Sequence, residues 1–275
     1  MPVDHFSFGA VTPTLSYTLS VLGSLLGLVC TARARALEDP KRRARWLLLA
    51  AWAIGGTGIW VMHFMAMLGF TVPGITIRYD ISTTVASWIT AIVFVGLGLF
   101  IVGYGKPHPI KIILAGIMTG SGVAAMHYTG MAAMRMPAHV EYDQKLFIAS
   151  VVIAIVASTV ALWFTVTLKR GAVLFIAALV MGVAVNGMHF TGMYAMHVTA
   201  QPDRPVAGFL PIFFVAPIAL FVMLVFIVLL TALINRDDGT GGRTLRLLPA
   251  TATASGQAAP SYTRIAGAFG NRPGR

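Results

Sequence analysis

The chain has 275 residues, of which 57% are hydrophobic and only 11% charged; a soluble globule carries about 25% charged residues, so a water-soluble fold is excluded. Its net charge of +11 invites a nucleic-acid reading, but the basic residues lie in loops and a tail, not interleaved with aromatics on one patch, so no nucleic-acid partner is expected. The single cysteine, Cys30, allows neither an intramolecular disulfide nor a thiolate cage and is given a packing role.

Seven stretches without Asp, Glu, Lys or Arg each exceed the roughly 20 residues that a helix needs to cross the hydrocarbon core. They predict transmembrane helices over 11–32, 46–68, 82–104, 111–134, 146–168, 172–197 and 209–234. Runs such as 146–168 lack the alternation of a membrane strand, so the expected fold is an all-α integral membrane protein and not a barrel. Residues 1–10 carry no basic n-region, and the first span is expected to remain as a helix, not to be cleaved as a signal. Sixteen of the 20 Lys and Arg fall in the segments 33–45, 106–111 and 169–170 and in the tail, all on one side of the predicted bundle. By the positive-inside rule the N-terminus is outside and the C-terminus inside. Pro211 and Pro217 are expected to bend or reposition the start of the seventh helix. Beyond Ile234 the composition turns to Gly, Thr, Ala, Pro and Arg, so 1–234 reads as the membrane domain and 235–275 as a disordered basic cytoplasmic tail.

Three hydrophobic segments contain one short pattern: Met62-His63-Phe64-Met65-Ala66-Met67, Met126-His127-Tyr128-Thr129-Gly130-Met131 and Met188-His189-Phe190-Thr191-Gly192-Met193. The histidines are separated by 64 and 62 residues, the length of a two-helix hairpin. The body is therefore expected to be three two-helix repeats plus a seventh helix, with each motif on the second helix of its hairpin. Helices two, four and six then run in one direction and hold the three imidazoles at one depth near the outer face. An intramembrane imidazole is a functional-site hypothesis by default. Gly56, Gly120 and Gly182 each precede a motif histidine by seven residues, close to two turns, and are expected on the imidazole face as packing residues.

Residues four apart share a helix face, which pairs His63 with Met67, His127 with Met131 and His189 with Met193. Met62, Met126 and Met188 point about 100° away. Thioether sulfur is soft and uncharged and suits copper, above all Cu(I). With no carboxylate in any predicted helix, a monovalent ion also leaves less uncompensated charge than a divalent one. The competing reading is plain packing, since a lone membrane histidine often links helices by a hydrogen bond and methionine fills gaps. Asn186, one turn before His189, can orient that imidazole or pair across helices. His5, His139 and His197 lie in outer segments, where they can gather metal or stand as ordinary solvated histidines.

The sequence Met-His-Tyr-Thr-Gly-Met at 126–131, with its related copies, resembles the MHYT domain of bacterial integral membrane sensors. The resemblance covers nearly everything up to the seventh helix. It implies a copper site near the outer membrane face with Met62, His63, Met126, His127, Met188 and His189 as candidate ligands, and a role in sensing oxygen, carbon monoxide or nitric oxide. Many members of that family continue into cytoplasmic diguanylate cyclase, phosphodiesterase or kinase domains, for which a 41-residue tail is too short. The expectation is thus a stand-alone, non-enzymatic, copper-binding sensory module. It spans the lipid bilayer of a bacterial inner membrane many times, takes a diatomic gas as ligand and signals through a separate cytoplasmic protein. The alternatives are a copper-handling or transport protein and a membrane protein that binds haem between axial histidines.

Overall fold

A computed structural model describes residues 3–169, 171–201 and 206–234. The predicted tail, 235–275, and two of the counted basic residues, Arg170 and Arg204, lie outside the described residues. Among the described residues, seven helices are long and apolar enough to cross a membrane. They are α1 (Val11–Arg35), α2 (Pro40–Met67), α3 (Ile81–Gly103), α4 (Pro109–Ala132), α5 (Gln144–Thr167), α6 (Ala172–Tyr194) and α7 (Ile212–Ile234). At 1.5 Å per residue, each exceeds the ~30 Å hydrocarbon core.

Local chemistry sets the helix starts. Asp39, Asp80 and Asp143 accept the backbone N–H groups of Lys41, Thr83 and Leu146 at 3.0, 2.8 and 2.9 Å and so cap α2, α3 and α5. Pro40 and Pro109 occupy first-turn positions, where no N–H is needed. With Asp39 and Pro40 in place, α2 begins six residues before the predicted start and takes the basic run Lys41–Arg45 into its first turns. The predicted sixth helix is cut short at Tyr194, after which the chain turns into a strand.

Each hairpin is closed at its motif end by its own entry and exit segments. β1 (Arg78–Tyr79) precedes α3 and pairs antiparallel with β2 (Met134–Arg135) after α4. β3 (Ala138–Tyr142) precedes α5 and pairs with β4 (Met196–Ala200) after α6, with Val140 opposite Val198. In the first hairpin the counterpart is a single bridge between Asp4 and Thr71. One backbone bond recurs in all three: Ser7, Asp80 and Asp143 donate to the carbonyls of Gly69, Ala133 and Ala195 at 2.9, 2.9 and 2.7 Å. The threefold repeat is thus structural as well as sequential.

The first six helices form a closed ring: α1 packs against α2 and α6, α3 against α2 and α4, and α5 against α4 and α6. Close backbone approach sets the contacts. A Cβ on Gly120 would overlap the backbone of Ile155, and a Cβ on Gly182 would lie 2.7 Å from Val21 Cγ2. In α2 the residues Trp52–Val61 are π-helical. A π turn holds one more residue than an α turn, so the register shifts by one. Gly55, eight residues before His63, thereby takes the place that Gly120 takes in α4: its Cβ would lie 2.9 Å from Ala91 O and 3.1 Å from Ile92 Cα, on a pair of α3 that matches Ala154-Ile155 of α5. Gly56 is turned instead toward Phe221 of α7, which packs outside the ring. Outward-facing Ile113, Leu114, Val156 and Val183 remain exposed, as suits contact with lipid.

Candidate metal centre

His63, His127 and His189, from α2, α4 and α6, meet inside the ring with no more than 1% of each residue exposed. His63 Nδ1 lies 3.0 Å from His189 Nδ1 and 3.2 Å from His127 Nδ1. Ring centroids are 4.9, 5.0 and 5.2 Å apart, with the rings edge to face at 72°, 81° and 87°. The three rings surround an axis almost symmetrically. With His63 Nδ1 this close to both other Nδ1 atoms, the three cannot all carry protons, so at least one lone pair is directed into the space between the rings.

Each ring turns its other nitrogen outward. Nε2 of all three is buried without a hydrogen-bond partner among the described residues. His63 Nε2 abuts Gly130 of α4, and His127 Nε2 abuts Gly192 of α6; a Cβ at either glycine would overlap the imidazole. The glycine of Met-His-Tyr-Thr-Gly-Met is therefore a seat for the histidine of the preceding repeat, and in the first copy Ala66 holds that position. The seat was invisible in the sequence, because it joins two copies of the motif and not two residues of one.

The donor set fits a metal ion of low charge. Three ligand nitrogens lie within 4.8 Å of one another, and among the described residues no carboxylate or thiolate joins them. Nitrogens held ~2.0 Å from a common ion stand about 3.5 Å apart, a small opening from the observed separations. The uncharged set would leave a divalent ion twice the uncompensated charge of a monovalent one.

All six candidate methionine ligands are buried: Met62, Met67, Met126, Met131, Met188 and Met193. Met131 forms part of the wall of a chamber at the motif end, and Met188 lines an apolar cavity of about 50 Å³ deeper among the helices. Asn186 does not reach the imidazoles. Its Oδ1 accepts from Ser16 Oγ at 2.9 Å, and its Nδ2 donates to Gly182 O at 2.8 Å. Ser16 belongs to a set that sequence reading missed. Ser16, Ser87 and Ser150 are fully buried on α1, α3 and α5, and each meets a polar group of an even helix: Asn186, Trp60 Nε1 at 3.0 Å and Tyr128 OH at 2.6 Å. The 63-residue step from Ser87 to Ser150 was the available signal.

The outer histidines separate. His5 is buried against Tyr194 and Phe70, and burial holds its pKa below the ordinary value. His139 is exposed, 3.4 Å from Glu141, and lines the chamber; His197 is exposed.

Three segments, 56–115, 120–178 and 182–241, match the family model MHYT, described as a bacterial signalling protein N terminal repeat. Each match starts in an even helix, so α7 follows α6 as the counterpart of α3 and α5 in chain order, whereas in space α1 closes the ring beside α6. The chain is 37% identical over 194 residues to the bifunctional diguanylate cyclase/cyclic di-GMP phosphodiesterase MucR of Pseudomonas aeruginosa, covering 69% of this chain and 28% of that one. It is 35% identical over 218 residues to the cyclic di-GMP phosphodiesterase NbdA of the same organism, covering 74% and 27%. A third relative, the signaling protein YkoW of Bacillus subtilis, is 28% identical over 195 residues, covering 66% and 24%. The chain thus spans about a quarter of the length of these relatives. No solved structure matches it significantly.

Proposed function

This chain belongs to the MHYT family of bacterial signalling proteins, and we propose that its histidine triad is a Cu(I) site through which a membrane sensory module registers a diatomic gas or the redox state of its surroundings. The observation that carries this reading is the convergence of three buried imidazoles, with His63 Nδ1 3.0 and 3.2 Å from the other two Nδ1 atoms and, among the described residues, no anionic group in the cluster. Copper bound there supplies a redox-active centre able to take a further small ligand. The protein residues hold and shield it. His63, His127 and His189 present lone pairs, Gly130 and Gly192 fix two of the rings, and the six motif methionines are the reserve of soft donors.

The three motif helices touch one another little except around this site, so an altered separation of the imidazoles changes their mutual packing directly. That difference in contact energy is what a signal requires. We place the motif end outside and the basic end in the cytoplasm of a bacterial inner membrane, on the strength of the charge asymmetry. The cyclic di-GMP enzymes among the relatives support a cytoplasmic signalling protein of that class as the receiver, and the match to only about a quarter of each favours a module that is itself non-enzymatic. Rings in mutual Nδ1 contact leave no room for a macrocycle between them, which counts against haem. Among the described residues, the deeper cavity has Met181 and Met188 but no histidine or carboxylate on its wall, which counts against a stepwise transport path.

The test is to load purified protein with Cu(I) and measure metal content and X-ray absorption. About one copper per chain with imidazole nitrogen neighbours is expected, lost in the triple variant His63→Ala, His127→Ala, His189→Ala. Wild type that retains no copper, or a triple variant that retains it with unchanged nitrogen ligation, refutes the assignment.

A further inference from the structure

A chamber of about 980 Å³ opens at the motif end, between the strands. Its wall includes Met131, Met134, Met136 and Met196, which are only 3%, 7%, 6% and 3% exposed, together with His139. Two observations separate these methionines from ordinary apolar lining. Met134 and Met196 stand at strand positions, where β-branched and aromatic residues are favoured, as Val140 and Val198 illustrate in the adjoining pair. They also occupy the same register, seventh after the motif histidine, in two different repeats, and both reach one cavity. Met136 lies two residues beyond Met134 and so on the same side of an extended chain.

What a thioether offers that an alkyl chain of equal size lacks is a soft, neutral lone pair. Among the described residues, the charged groups on the wall are Asp80 and Arg135, which are of opposite sign and balance each other. We propose that the chamber is a second metal site, distinct from the triad, which takes a soft monovalent cation, Cu(I) or Ag(I), on Met131, Met134, Met136 and Met196 with His139 at its rim. Met131 also lies one turn beyond His127 on the same helix face, so it borders both sites. The chamber site stands whether or not the triad holds copper.

Ag(I), which does not change oxidation state, is the probe. In the triple variant His63→Ala, His127→Ala, His189→Ala, silver is expected to remain bound with sulfur-dominated X-ray absorption. In the triple variant Met134→Leu, Met136→Leu, Met196→Leu, a swap that cores tolerate, about one equivalent is expected to disappear while nitrogen ligation persists. Site-resolved oxidation by hydrogen peroxide provides a reading on unmutated protein. Silver should slow sulfoxidation of Met134, Met136 and Met196 by about tenfold and leave exposed Met223 of α7 unchanged. Equal silver binding in the leucine variant, or unchanged oxidation of the chamber methionines, overturns the proposal. Loss of silver only in the histidine variant overturns it as well and leaves the triad reading standing. Silver confined to the chamber has the reverse result.

Discussion

Replacing Gly130 with alanine tests the seat on which His63 rests. The added Cβ would overlap His63 Nε2 and lie 2.9 Å from Cδ2 and 3.4 Å from Cε1 of a ring that is completely buried. Relief requires the imidazole to move by roughly 1 Å or the helices to part, an overpacking cost of about 1–3 kcal/mol. Against this stands the ~0.5–1 kcal/mol that alanine contributes over glycine inside a helix. The net is a loss of up to about 2.5 kcal/mol, and because the ring that moves is a proposed ligand, copper affinity should fall about 10–100-fold. Gly187→Ala on α6 is the control: its Cβ meets nothing within 4 Å, and the residue is exposed. It should gain the helix term alone and bind metal as wild type does. The assay is equilibrium unfolding in bicelles beside competition for Cu(I) with a soluble chelator. A Gly130→Ala protein as stable as Gly187→Ala, with wild-type copper affinity, refutes the reasoning.

Gly192→Ala, which intrudes on His127 in the same way, should weaken copper binding by a similar factor in the same competition assay. Ser87→Ala leaves the buried Trp60 N–H without its acceptor and should cost about 1–3 kcal/mol in unfolding experiments. Adding Trp60→Phe, which removes the orphaned donor, should recover part of that loss. Hydrogen bonds from Thr83 and Ser82 hold the Asp80 carboxyl near a pKa of about 2, below its ordinary 3.8. A depressed carboxyl stabilises the folded state fully above the unfolded value, and this contribution is lost as pH falls from about 4 through 2. Asp80→Asn should therefore flatten the acid limb of the stability curve over that interval, measured by thermal unfolding.

Much of this architecture is legible in the chain itself. Uncharged length marks the seven spans, and the hairpin period places three histidines at one depth. Other features were recoverable but inconspicuous. Asp80 and Asp143 start successive odd helices 63 residues apart, and Ser87 and Ser150 repeat the same interval. The short strands escaped because Arg78–Tyr79 and Met134–Arg135 contain too few residues to show alternation.

Hydropathy is a sum of transfer free energies along one dimension, and it determined that this chain lives in a bilayer and how many times it crosses. It did not determine how each helix is rotated, because helices in lipid are apolar on nearly every side and periodicity marks no inner face. Only tertiary packing decided that Nδ1 and not Nε2 of His63, His127 and His189 points to the common centre, that Gly130 and Gly192 carry the imidazoles of other repeats, and that α1 rather than α7 closes the ring. The π segment over Trp52–Val61 makes the reason concrete. A one-residue change in winding moved the close-packing position from Gly56 to Gly55, and winding is settled by neighbouring helices, which a linear sequence does not contain.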